Sequence, residues 1–360
     1  MPAELTREHA ASPIPAAPRD EAELNELLSH PRAETIAALE ACTGDVVVLG
    51  AGGKMGPTLT RLVARASAEA DRRAGRTTRR VIAVSRFSSA APRRALEAAG
   101  IATAACDLLD RHAVARLPDA PNVIFMAGQK FGTTEAPAMT WAMNTIVPAI
   151  CAERYASARI VAFSTGNVYP LTPVARGGAR ESDPLGPVGE YAASCVGRER
   201  IFELAAARDG TRVALVRLNY AIDLRYGVLI DLALKVLRGD AIDLRMGYVN
   251  VIWQGDANRI AVECLPLASA PPFVVNVTGR DVLPVRELAT RLGEHLGRRP
   301  VFTGSEADDA LLSDTGRMAS LLAPPAVPVD WMLGWVAAWV GDGRPLLGRP
   351  THFEERAGRF

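Results

Sequence analysis

The sequence predicts an α/β protein, a doubly wound parallel sheet carrying a smaller C-terminal lobe, and three observations predict it. Between residues 45 and 216, short apolar runs alternate with helical patterns, as a parallel sheet buried on both faces requires. The first run ends in a glycine-rich turn that opens a helix. The chain has 360 residues, 49% of them hydrophobic, enough for a sizeable core.

The elements follow in order. Residues 1–20 read as a disordered lead, and Leu24, Leu27, Leu28 and Ile36 mark a helical stretch from Glu21 to Ala41. Strands are expected at 45–50, 81–84, 101–105, 123–126, 160–163 and 213–216. The helical pattern carrying Leu59, Leu62, Val63 and Ala66 follows the first strand. Further helices are expected near 90–99, 113–117, 136–155 and 189–209. Beyond Asn219 the alternation loosens, with turn signals at Arg238-Gly239-Asp240 and Ala270-Pro271-Pro272 and helices near 285–296 and 331–340. The chain then divides into an N-terminal extension (1–44), a dinucleotide-binding domain (45–220) and a substrate-binding lobe (221–360) that interleaving with the domain before it would not contradict.

Charge and composition narrow the partners. Forty-one basic residues stand against 40 acidic ones, and the formal charge of +1 gives no field to gather nucleic acid or an anionic membrane. Five cysteines without a C-x-x-C pair and five histidines without ligand spacing argue for reduced thiols and no metal site. The amino terminus has no apolar core of a signal peptide, so a soluble cytoplasmic protein with a small-molecule partner is expected. Lysine appears only at Lys54, Lys130 and Lys235, which leaves few candidates for any role that needs one.

Glycines at Gly50, Gly53 and Gly56 frame Lys54 and Met55 at the first strand-to-helix junction. That spacing suits a tight turn, close backbone approach to a pyrophosphate and close helix packing, with phosphate at the helix amino terminus. A P-loop fits worse, since Val48 and Met55 stand where Gly and Ser or Thr would be needed. The second strand ends in Ser85-Arg86, a hydroxyl beside a guanidinium, which favours NADP over NAD, although a solvated arginine reads the same way. Asp107 either meets the adenine or starts a turn. Ala127 and Gly128, just past the fourth strand, complete the cofactor side.

At the fifth strand stands Phe163-Ser164-Thr165-Gly166-Asn167, with Tyr191 following on a helix. With Asn144, Val216-Arg217-Leu218-Asn219 and Asn276 in the same order, residues 45 to 340 resemble the extended short-chain dehydrogenase/reductase family, the NAD-dependent epimerase/dehydratase group. The resemblance implies a Rossmann-like fold and an oxidoreductase or epimerase acting on a sugar or sugar derivative. It makes Tyr191 the proton shuttle, Thr165 the donor to the substrate oxygen, and Asn144 an ordering residue. It also implies a homodimer through the helices after the fourth and fifth strands.

One position departs from the family. A lysine is expected four residues after the tyrosine, and Cys195 stands there. A thiol brings no positive charge to a phenol whose ordinary pKa is near ~10. Lys130, in the loop after the fourth strand, is the best substitute, followed by Lys54 and Arg198; a solvated loop lysine is the plainer reading of Lys130. The acidic pair that family dehydratases place after the threonine is absent at Gly166-Asn167, which disfavours dehydration. The resemblance implies, for members acting on nucleotide sugars, an arginine that clamps the diphosphate; if Trp253-Gln254-Gly255-Asp256 matches the segment that follows it, its position falls near Val249, with Arg225 or Arg245 as compensators. Asn219, Tyr220, Arg225 and Trp253 offer amide, phenol, guanidinium and indole to a polyhydroxylated substrate. The rival reading is an NADP-binding redox or metabolite sensor without turnover.

Overall fold

The structure, a computed structural model, describes residues 16–359. Seven strands form the central sheet: β1 (Val46–Leu49), β2 (Val81–Ser85), β3 (Ala102–Ala105), β4 (Asn122–Phe125), β5 (Arg159–Thr165), β6 (Arg212–Leu218) and β7 (Phe273–Val277). They run parallel in the order β3-β2-β1-β4-β5-β6-β7. The order reverses between β1 and β4, which opens a crevice at the carboxyl ends of those two strands.

Alternate residues of each strand feed opposite faces, as the two-residue period dictates. Val46, Val48, Ile124, Val161, Phe163 and Val216 pack with Leu39, Leu59, Leu62 and Ile260 from the helices on one side. Val47, Leu49, Val123, Phe125, Ile160 and Leu215 pack with Ile150 and Phe202 on the other. Both faces are therefore dry, which explains the unbroken apolar runs in the sequence.

A second core gathers Leu229, Leu232, Val236, Leu288, Leu292, Trp335 and Trp339, and Leu24 and Leu28 from the N-terminal extension join it. The chain passes between the two cores more than once. After the Val228–Arg238 helix it returns to the sheet with the Gln254–Glu263 helix and β7 before the lobe resumes. The sequence reading had missed both helices.

Two expected helices are broken. The stretch 21–41 forms helices Glu21–Leu28 and Ala33–Ala41, because Pro31 disfavours helical geometry at His30 and the Ser29 N–H bonds back to Glu26. The stretch 136–155 forms helices Pro137–Trp141 and Val147–Arg154 joined by a wider turn over Ala142–Ile146, where the Val147 N–H reaches five residues back to Ala142. Pro148 removes an N–H from the ordinary ladder just there, and Asn144 lies inside the wide turn, a feature frequent at functional sites. Residues 1–15 of the expected lead lie outside the described residues. No helix among the described residues is long and apolar enough to cross a membrane.

Candidate active site

The glycine turn is built by its lack of side chains. Gly50 has φ +91°, and a Cβ there would lie 2.7 Å from the Ala127 amide nitrogen; one on Gly56 would lie 2.4 Å from the Ala51 carbonyl. One on Gly53 would lie 3.3 Å from the Gly50 carbonyl oxygen, tighter than ordinary contact, so the turn stays bare backbone at the amino end of the Gly56–Arg73 helix. That is a cradle for a phosphate approaching the backbone. Gly50, Gly53, Ser85, Arg86, Asp107, Ala127 and Gly128 line one groove of about 220 Å³. Ser88, Met126 and Met143 also line it; the first stands two residues past Arg86, a position the sequence reading did not reach. The Asp107 carboxylate accepts the Leu109 amide at 3.1 Å, so it starts a turn as well as facing the groove.

A second cavity, about 160 Å³, lies at the carboxyl ends of β5 and β6. Lys54, Met55, Lys130, Thr165, Tyr191, Asn219 and Tyr220 face it together. Tyr226, the phenol that ends the polar run from Asn219, lines it as well, as does Thr351, which no sequence signal singled out. Tyr220 holds a left-handed backbone, φ +41°, which is costly for a bulky residue and concentrates at working sites.

Thr165 ends β5 and Tyr191 lies in the first turn of the Gly189–Asp209 helix, and the fold brings them into hydrogen-bonding contact. The Cys195 thiol, one turn along that helix and 0% exposed, is the other partner of the phenol. Burial pushes the Tyr191 phenol well above its usual range, and the neighbouring thiol pushes it further; the Arg198 charge and the Thr165 hydrogen bond pull it back. Cys195 is likewise pushed up by burial.

Positive charge arrives from two directions. The Lys130 ammonium lies 6.0 Å from the centre of the Tyr191 ring and 3.4 Å from the Thr351 carbonyl it donates to. Burial pushes Lys130 down to about 8. From behind, the buried Arg198 guanidinium donates to the Phe163 carbonyl at 2.8 Å and to Asn144 Oδ1 at 2.5 Å. Asn144 in turn accepts from the Gln129 amide and donates to the Gln129 carbonyl and Ser194 Oγ. Asn144 is thus a brace beneath the loop carrying Gly128 to Lys130, and it does not line the cavity. A Cβ on Gly128 would lie 2.3 Å from Arg198 Nη2, so this brace needs glycine above it.

Two expected substrate residues fall elsewhere. Trp253 is 2% exposed in the core of the second lobe, its ring 5.4 Å edge-on from Trp335. Arg225 pairs with Asp223 at 2.8 Å and Glu21 at 3.2 Å and faces a separate cavity beside the C-terminal tail. Of the diphosphate candidates, Val249 is fully buried and Arg245 pairs with Asp243 on the surface. Arg217 and Asn276 buttress the sheet edge. Arg217 forms a buried pair with Glu199 at 2.7 Å, and Asn276 accepts from the Tyr169 hydroxyl at 2.8 Å.

Residues 46–222 match the model of the NAD dependent epimerase/dehydratase family. Through this segment, the chain is similar to that family. No curated protein matches it in sequence. Among solved structures it is similar to UDP-glucose 4-epimerase of Thermotoga maritima, at 17% identity and a TM-score of 0.65 over 83% of this chain and 99% of that one. It is also similar to the UDP-Glc/GlcNAc 4-epimerase of Campylobacter jejuni, at 18% identity and 0.67 over 84% and 100%. A third is a tyrosine-to-phenylalanine mutant of UDP-glucuronic acid 4-epimerase from Bacillus cereus, in complex with a fluorinated UDP-sugar acid and NAD, at 16% and 0.67 over 83% and 99%. At these identities the likeness speaks for the fold. The epimerase/dehydratase segment spans β1 to β6 and so contains the glycine cradle, Thr165, Tyr191 and Cys195.

Proposed function

We propose that this protein is an NAD(P)-dependent oxidoreductase or epimerase of a hydroxylated, sugar-like substrate. The observation that carries the reading is the contact of the Tyr191 phenol with the Thr165 hydroxyl in a cavity that adjoins the glycine cradle. Bound in the cradle, a nicotinamide cofactor supplies or takes up hydride. Thr165 donates to the substrate oxygen, and Tyr191 takes or returns its proton. Lys130, on the open side, and Arg198, behind the ring, supply the positive charge that the family places at the Cys195 position. Asn144 positions both through the Gln129 backbone and the Arg198 guanidinium.

NADP is the proposed cofactor. Ser85, Arg86 and Ser88 meet at the rim of the adenosine-side groove, where two hydroxyls and a guanidinium suit a 2′-phosphate. The solved neighbours named above act on UDP-sugars by their titles, but the position proposed for a diphosphate clamp is taken by Val249. A homodimer is proposed through the helices after β4 and β5. Met139, Ile146 and Leu204 there are 47%, 50% and 59% exposed, an apolar face that a partner would cover.

The test is to offer the purified protein NADP and NAD with a panel of sugars, sugar acids and sugar phosphates, and follow reduced-nicotinamide absorbance. Turnover that disappears in Tyr191→Phe supports the reading. Tight nucleotide binding without turnover on any compound supports a sensor instead.

A further inference from the structure

The cavity at Tyr191 has an unusual charge balance. Two of the chain's three lysines, Lys54 and Lys130, line it, and no Asp or Glu among the described residues does. They reach it from different elements: Lys54 from the glycine turn, Lys130 from the loop after β4. Lys54 lies 4.7 Å from the Tyr226 ring centre and donates to the Ala221 carbonyl at 3.5 Å. Lys130 lies 5.8 Å from the Phe131 ring centre, and the Phe131 and Tyr226 rings meet edge-on at 6.3 Å. The two ammonium groups therefore flank one aromatic pair, each keeping some surface toward the cavity while protein encloses its other sides. Acidic groups stand behind them rather than in the cavity. Asp223 acts on Lys54 but is shared with Arg225, and Asp231 acts on Lys130 but accepts the Thr351 amide at 2.8 Å and its hydroxyl at 2.5 Å.

We infer that the substrate of this site carries its own anionic group, a carboxylate or phosphate on a small hydroxylated molecule, and that Lys54 and Lys130 receive it. The inference rests on Tyr191 and Thr165 being the reacting pair, since it places the anion in their cavity. Two ammonium groups turned into one cavity and largely out of water cost free energy that an anion in that cavity recovers as charge-assisted hydrogen bonds. Burial pushes both lysines down to about 8, the cost that such an anion offsets. Thr351, held by Asp231, closes the wall, and the tail is pinned further by the Lys235–Glu354 pair at 2.5 Å and the Arg356–Asp309 pair. The anion is thus met inside the cavity, where the absent diphosphate clamp at Val249 gives no alternative.

The test titrates NADP-loaded protein by calorimetry with gluconate, glucose 6-phosphate and glucose, in wild type, Lys54→Met, Lys54→Arg and Lys130→Met. At least one anion should bind about tenfold or more tighter than glucose, the worth of one charge-assisted hydrogen bond. The arm that binds tells carboxylate from phosphate. Each Met variant should lose about tenfold of that affinity, Lys54→Arg should retain most of it, and NADP affinity should stay unchanged. Glucose binding as tightly as both anions, or unchanged anion affinity in Lys54→Met, would overturn the inference. So would a loss confined to NADP affinity, which would assign Lys54 to the cofactor. Tyr191→Phe should keep the anion affinity. Anion binding that the Met variants weaken, with no turnover on any compound, would sink the enzyme reading while leaving the anion site standing.

Discussion

The phenol of Tyr191 shares its hydrogen-bonding contacts between Thr165, on the neighbouring strand, and Cys195, one helical turn further along its own helix. The first contact is the one we propose relays the proton. The second puts a neutral thiol where the family carries an ammonium, and burial accordingly leaves the phenol high in pKa. The Arg198 charge pulls it back, Lys130 at 6.0 Å from the ring centre is the second charge proposed to do so, and Lys130 can be tested separately from the thiol.

Lys130→Met should lower kcat/KM about a hundredfold, the usual scale for one electrostatic contact at a reacting centre. The sign of the pH dependence follows from its folded pKa of about 8. The ammonium is present below that value and is lost as pH rises through it, so wild-type activity should fall above about pH 8. Asp231, Cys195 and Tyr191 are the titrating groups that face it. A pH-rate profile of the variant should lack this limb.

Cys195→Ala should keep kcat/KM within about fivefold of wild type, the worth of one neutral hydrogen bond. The thiol is fully buried and pushed up by burial, so it has no nucleophilic role to lose. A loss of several orders of magnitude would give it one.

Arg86→Ala should weaken NADP about tenfold to a hundredfold, as expected for a lost charge-assisted contact, and leave NAD affinity unchanged. Fluorescence titration with both nucleotides measures this. Equal losses for the two would remove Arg86 from the 2′-phosphate.

Gly50→Ala should destabilise the fold by about 1–3 kcal/mol, because alanine at φ +91° is strained and its Cβ would press on the Ala127 backbone. Urea unfolding measures the loss, and nucleotide affinity should fall with it, since the same turn shapes the cradle.

How much of this was legible in the sequence depended on the range of the constraint. Strands β1 to β6 and the glycine cradle were readable because period and turn chemistry are local, and the Thr165–Tyr191 pair was implied by the family resemblance. Trp253 and Arg225 were misplaced among substrate residues. An indole or guanidinium looks the same in sequence whether it faces a cavity, packs on Trp335 or pairs with Asp223. Thr351 was invisible because it reaches the cavity only when the tail folds back onto Asp231, 120 residues away. Lys54 was read as part of the phosphate turn, and only the three-dimensional arrangement turns it toward Tyr226. The broken helix at Asn144 carried a signal, Pro148, whose consequence was a wider turn rather than an end.

The central claim is that Tyr191 moves the substrate proton with Thr165 holding the oxygen. Single-turnover absorbance of reduced nicotinamide tests it most directly, comparing wild type with Tyr191→Phe at saturating nucleotide on a compound the wild type accepts. The account predicts a rate about a hundredfold to ten-thousandfold lower in the variant, the range of general acid–base catalysis, with nucleotide affinity intact. Equal rates in the two proteins would contradict it.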